Sequence, residues 1–103
     1  MTGRIDVIDV DTHLIEPPDL WTSRLPQKFR EAAPQLVWDE KSELRRWKVG
    51  RHLLAGEGGH AHAGWDEFYP STPPTLAQAD PAGFDPHERL KRMDEHGIHT
   101  QIL

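Results

Sequence analysis

Ile5-Asp6-Val7-Ile8-Asp9-Val10 is a β-branched run spaced by acidic residues, and it predicts a strand over 5–10. It gives way to polar Asp11-Thr12-His13, after which Pro17 and Pro18 forbid further ladder pairing and push Glu16 towards extended backbone. Leu20, Trp21, Leu25 and Phe29 then recur at helical spacings broken by Pro26, a residue suited to the first turn of a new helix. The pattern predicts a short helical turn over Asp19–Ser23 and a second over Pro26–Ala32, stopped before Pro34. Leu36–Glu40 and Glu43–Val49 flank a polar Lys41-Ser42 and predict a β-hairpin, which Arg51–Leu54 extends. Neither Asn-Gly nor Asp-Gly marks the turn, so the pattern leaves its register open. Gly56–Ala63 is a Gly- and His-rich loop, and the proline-rich Phe68–Gly83 predicts irregular chain wrapped over a surface.

The last segment carries the clearest signals. Asp85 is a good N-cap, Pro86 fits the first helical position, and Glu88 stands where a capping box wants an acid. Glu88 and Arg92 have the spacing of an i,i+4 ion pair. Gly97 suits a left-handed C-terminal residue, with Ile98 placed to touch Met93 as in a Schellman motif. Ile98–Leu103 then reads as a second strand. Strand, crossover and strand together predict a parallel βαβ plan, hence an α/β fold.

Composition alters this picture in one respect. Only 36% of the 103 residues are hydrophobic, with nine Pro and eight Gly adding loop rather than core. A small domain buries a limited share of its surface even when well composed. Such a chain struggles to offset its conformational entropy alone, which points to part of a larger domain. Seventeen acidic against twelve basic residues give a net charge of −5, which argues against nucleic-acid binding. Cysteine is absent, so disulfides, thiolate zinc sites and cysteine nucleophiles are excluded. Apolar runs are too short to span a bilayer, and Asp6 and Asp9 interrupt any secretory signal, so a cytoplasmic protein without membrane contacts is expected.

Side chains alternate along a strand, so Asp9, Asp11 and His13 share a face at its C-terminal end. Two carboxylates and an imidazole there make a divalent-metal half-site; the plainer alternative is that Asp11 caps a turn and His13 is an ordinary loop residue. His60-Ala61-His62 has the same spacing, but its glycine-flanked setting lacks a rigid element to preorganise ligands, and it reads as a solvated loop. His96 suits the last turn of the helix, where a structural role suffices for it as for His87 and His99. Arg45-Arg46 beside Trp47 reads as a hairpin face with snorkelling side chains. Trp21, Trp38, Trp47 and Trp65 read as packing or interface residues, with substrate stacking an alternative for Trp65. Phosphate-binding loops, nucleophile elbows and dinucleotide fingerprints are missing.

Asp11-Thr12-His13-Leu14-Ile15-Glu16-Pro17-Pro18-Asp19-Leu20-Trp21, with Arg24-Leu25-Pro26 and Ala33-Pro34, closely resembles the opening of amidohydrolase-related proteins of the "amidohydrolase 2" type. That family comprises metal-dependent hydrolases and decarboxylases related to aminocarboxymuconate semialdehyde decarboxylase. Phe84-Asp85-Pro86-His87-Glu88-Arg89-Leu90, Met93-Asp94 and Gly97-Ile98 resemble its first crossover helix and second strand, while the hairpin and Gly/His loop between match weakly. The resemblance implies a TIM-barrel-like (β/α)₈ fold with a mononuclear divalent metal at the C-terminal mouth, of which residues 1–103 are the N-terminal portion. That portion holds the first two parallel strands and a crossover with an inserted hairpin and helices.

The family's first-strand His-x-His, often preceded by Asp, is matched here by Asp9-x-Asp11-x-His13, with a carboxylate at the first His position, as in related decarboxylases. The resemblance therefore implies Asp11 and His13 as metal ligands, for zinc ahead of manganese or magnesium. The family's later ligands and catalytic acid/base have no counterpart here. The expectation is an N-terminal fragment of a metal-dependent amidohydrolase-type hydrolase, inactive alone. It would be completed by a C-terminal segment or by homo-oligomerisation, and would act on a small-molecule substrate. The alternatives are a decarboxylase of aromatic or unsaturated carboxylic acids, or a small non-catalytic binding module.

Overall fold

A computed structural model describes residues 3–59 and 61–103. Strand β1 is Val7–Asp9, shorter at both ends than the β-branched run. Helix α1 is Leu20–Arg24, and Leu25 leaves it in an extended conformation, as a residue before Pro26 must. The second helical segment is a 3₁₀ turn, Gln27–Ala32, rather than an α-helix. Proline bounds it on both sides, and Ala33 before Pro34 is again extended.

The expected hairpin is a three-stranded antiparallel meander: β2 Gln35–Asp39, β3 Leu44–Val49 and β4 His52–Gly56. Arg51–Leu54 does not prolong the hairpin but turns back as β4. A two-residue Gly50-Arg51 connection makes that reversal, because Gly50 takes the positive φ of 58° that such turns demand. The β2–β3 register comes from Asp39, whose carboxylate accepts bonds from Ser42 Oγ (2.6 Å) and Lys41 N (3.4 Å) and closes the turn on Leu44. A shift between Arg46 and Lys48 in the β3–β4 pairing brings Glu57 N to Arg45 O at 3.0 Å.

The chain then runs through 3₁₀ turns at Leu76–Gln78 and Pro81–Gly83 into helix α2, Pro86–His96. Asp85 caps α2 through His87 N (2.8 Å) and Glu88 N (3.3 Å), and Gly97 ends it at φ 69°. The capping box is half built: Asp85 N bonds Pro81 O, while Glu88 pairs with Lys91 at 2.7 Å. The expected Glu88–Arg92 pair is not formed, because Arg92 turns to Asp80 and Glu95. Strand β5, Ile98–Gln101, pairs in parallel with β1. The fold is therefore mixed α/β, a two-stranded parallel sheet and a three-stranded antiparallel sheet. Among the described residues, no helix is long and apolar enough to cross a membrane.

The core is small. Ile15, 3% exposed, packs with Ala61, Ala79 and Leu76, and its N–H bonds Gly83 O at 2.7 Å. Of the six buried hydrophobic residues among those described, four are alanines, which remove little apolar surface from water. Accessible surface is 8011 Å², against about 5,900 Å² for a compact chain of this size. The radius of gyration is 16.5 Å, where about 13 Å is usual. The parallel pair is bare: Val7, Ile8, Val10, Ile102 and Leu103 are all exposed. Parallel strands are normally covered on both faces.

Candidate functional site

The end of β1 is built by hydrogen bonds to residues far along the chain. Ile102 N donates to Asp9 O at 2.9 Å, and Gln101 Nε2 donates to Asp9 Oδ2 at 3.2 Å. The other Asp9 oxygen accepts Asp11 N at 3.1 Å, bending the chain out of the strand. Asp9 lines the same cleft as Asp11 and His13, but both of its carboxylate oxygens are engaged, by Asp11 N and Gln101 Nε2. Strand β1 stops at Asp9, so strand alternation does not itself set the directions of Asp11 and His13. Thr12 Oγ1 then donates to Ile102 O at 2.6 Å, and Arg89 Nη2 donates to His13 O at 2.6 Å.

These anchors leave Asp11 and His13 projecting into water, with side chains 92% and 67% exposed. Asp11 Oδ1 lies 3.6 Å from His13 Nε2, too long for a hydrogen bond. Two donors bound at about 2.1 Å to one tetrahedral ion stand about 3.4 Å apart. One carboxylate oxygen and one imidazole nitrogen at this separation fit two neighbouring corners of a divalent ion's coordination shell. Among the described residues no group of three or more His, Cys, Asp and Glu side chains is placed to hold a metal.

The pair borders a cleft of about 570 Å³ whose lining includes Asp9, His62, Asp80, Arg89 and Arg92. Asp80, only 10% exposed, takes both ends of the Arg92 guanidinium at 3.1 and 3.0 Å and caps its own turn through Ala82 N at 3.0 Å. Burial pushes its carboxyl up, but the Arg92 and Ala82 bonds, with the charges of Arg92 and His96, outweigh it and hold it below the usual carboxylate range.

The histidine motif at 60–62 is described only in part. His60 lies outside the described residues, Ala61 is in the core, and His62 Nε2 donates to Gly59 O at 2.7 Å. A ring nitrogen that donates to a carbonyl offers no lone pair to a cation. Trp65 is not in the cleft wall and gives its indole N–H to Ser71 at 3.1 Å. Trp47 is buried, while Trp21 and Trp38 stay exposed. Arg45 and Arg46 lie along the meander, on Glu57 and Asp39 respectively. Sequence reasoning missed Arg89 and Gln101. Their only signal is that Arg89 stands four residues beyond the Asp85 cap, one helical turn into α2. No family model matches the chain, and no curated protein matches it.

Proposed function

We propose that the chain is the opening segment of a metal-dependent amidohydrolase-type (β/α)₈ domain, and that Asp11 and His13 supply two of its metal ligands. The single observation that carries this reading is the 3.6 Å approach of Asp11 Oδ1 to His13 Nε2 just past the C-terminal end of a parallel strand. In barrels of alternating strands and helices, that end carries the chemistry. A divalent ion, when bound, supplies a Lewis acid for a carbonyl, carboxylate or water oxygen. This chain's own part is to hold the two donors at a fixed separation and to form one wall of the cleft.

The bare parallel sheet supports the same reading. About 2,100 Å² of surface beyond that of a compact chain is comparable to one partner's share of a large obligate interface. Further strands and helices, from a complementing polypeptide or segment, would cover it. Open metal sites use at least three protein ligands, so the 103-residue chain alone is expected to show no metal-dependent turnover.

Equilibrium dialysis against Zn²⁺ tests the ligand assignment. Asp11→Ala and His13→Ala are each expected to weaken binding by about tenfold or more, because each removes one of two donors. Binding unchanged in His13→Ala would show that the cation sits elsewhere, and metal-dependent turnover by the isolated chain would overturn the fragment reading.

A further inference from the structure

We infer that Arg89 is a positioning residue for the Asp11–His13 pair, an inference that rests on the half-site proposed above. Its guanidinium joins three separate parts of the chain. Nε donates to Ala82 O in the turn before α2 (2.9 Å), Nη1 to Gln101 Oε1 on β5 (3.1 Å), and Nη2 to His13 O (2.6 Å). Gln101 passes the constraint on, since its Nε2 donates to Asp9 Oδ2, whose partner oxygen holds Asp11 N. One side chain thus fixes the main chain at His13 directly and at Asp11 through Gln101 and Asp9.

The character of these bonds sets the role. Among the described residues, the bonds anchoring residues 11–13 go to Asp11 N, Thr12 Oγ1 and His13 O. The Asp11 carboxylate and the His13 ring are left facing each other. An arrangement that pins the backbone and spares the donors is what a preorganised ligand pair requires. A planar fork with five N–H donors can reach three acceptors in different directions, whereas an ammonium cannot hold the same geometry. Arg89 does not touch the ligating atoms, so its effect passes through the chain that carries them.

Mn²⁺ titration of the full chain, read as paramagnetic broadening of the His13 ring protons, tests this; the signals are assigned with His13→Ala. The Mn²⁺ concentration for half-broadening should rise about tenfold or more in Arg89→Met, in the range seen when groups supporting metal ligands are removed. Arg89→Lys should fall between Met and wild type. Arg45→Met, which breaks the pair with Glu57 on the meander away from the cleft, should lower the melting temperature and leave the titration unchanged.

Arg89→Met within twofold of wild type would overturn the inference while leaving the half-site reading intact. Equal weakening in Arg45→Met would also overturn it, by reducing Arg89 to a general stabiliser. If Arg89→Met loses its helical circular dichroism, Gln101→Leu carries the test, because it cuts only the arm to Asp9. An unchanged titration there would overturn the relay. If Mn²⁺ does not broaden His13 ahead of His52, His87 and His99 in the wild type, both the half-site and the role of Arg89 fall.

Discussion

Asp80 holds the cleft wall through its charge, and acid should reveal it. A carboxyl held below its usual range stabilises the fold above the unfolded value of about 3.9 and loses that contribution as pH falls through the folded value. Asp80→Asn keeps an oxygen for Ala82 N but removes the ion pair with Arg92. It should cost on the order of 1–2 kcal/mol at pH 7. In thermal melts, the gap between wild type and variant should stay constant above about pH 5 and close below about pH 4. A gap independent of pH would mean that the pair contributes nothing through its charge. Sequence reading singled out Asp11 and His13, because a strand ending in alternating polar residues is a local pattern. It missed Asp80, Arg89 and Gln101, because each gains its role from partners brought together by tertiary folding.

Helix α2 was the most legible element, since its cap, first-position proline and terminal glycine are adjacent in sequence and act locally. Asp85→Ala should cost about 1 kcal/mol by freeing two N–H groups, visible as a lower melting temperature. Glu88→Gln should cost no more than about 0.5 kcal/mol, because the return arm of the capping box is not made and only the exposed pair with Lys91 is lost. The meander was half legible. Alternation gave β2 and β3, but the Asp39–Ser42 turn and the Gly50 reversal lack the usual Asn-Gly or Asp-Gly mark. Its outer end is locked where Glu57, 4% exposed, pairs with Arg45, and Gly58 passes against the fully buried Pro73. A Cβ at Gly58 would meet Pro73 O at 2.5 Å. Gly58→Ala should therefore destabilise by about 1–3 kcal/mol, read as a shifted urea midpoint.

At the scale of the whole molecule, the low hydrophobic fraction correctly signalled a thin core, and the structure shows where the deficit falls. Part of it lies on the parallel sheet, where Ile8, Val10 and Ile102 are more than half exposed, and part elsewhere, at Phe68, Tyr69, Trp38 and Leu90. Unpaired strand edges invite pairing with other chains, and lysine on an edge opposes it. Sedimentation of the isolated chain should show concentration-dependent association, and Val10→Lys combined with Ile102→Lys should shift the distribution towards monomer. A wild-type chain that stays monomeric at high concentration would argue for a self-sufficient module. The barrel reading rests on resemblance alone, since two parallel strands carry no periodicity that encodes a strand count.

The bond from Gln101 to Asp9 joins residues 92 apart, whereas that from Arg45 to Glu57 joins residues 12 apart. Closing the longer loop costs about 2 kcal/mol more in chain entropy. During synthesis on a ribosome, the meander can therefore assemble early, while the tip of the first strand waits for almost the whole segment to emerge. Asp11 and His13, the proposed ligand pair, are made long before the Arg89, Gln101 and Ile102 that anchor the chain around them.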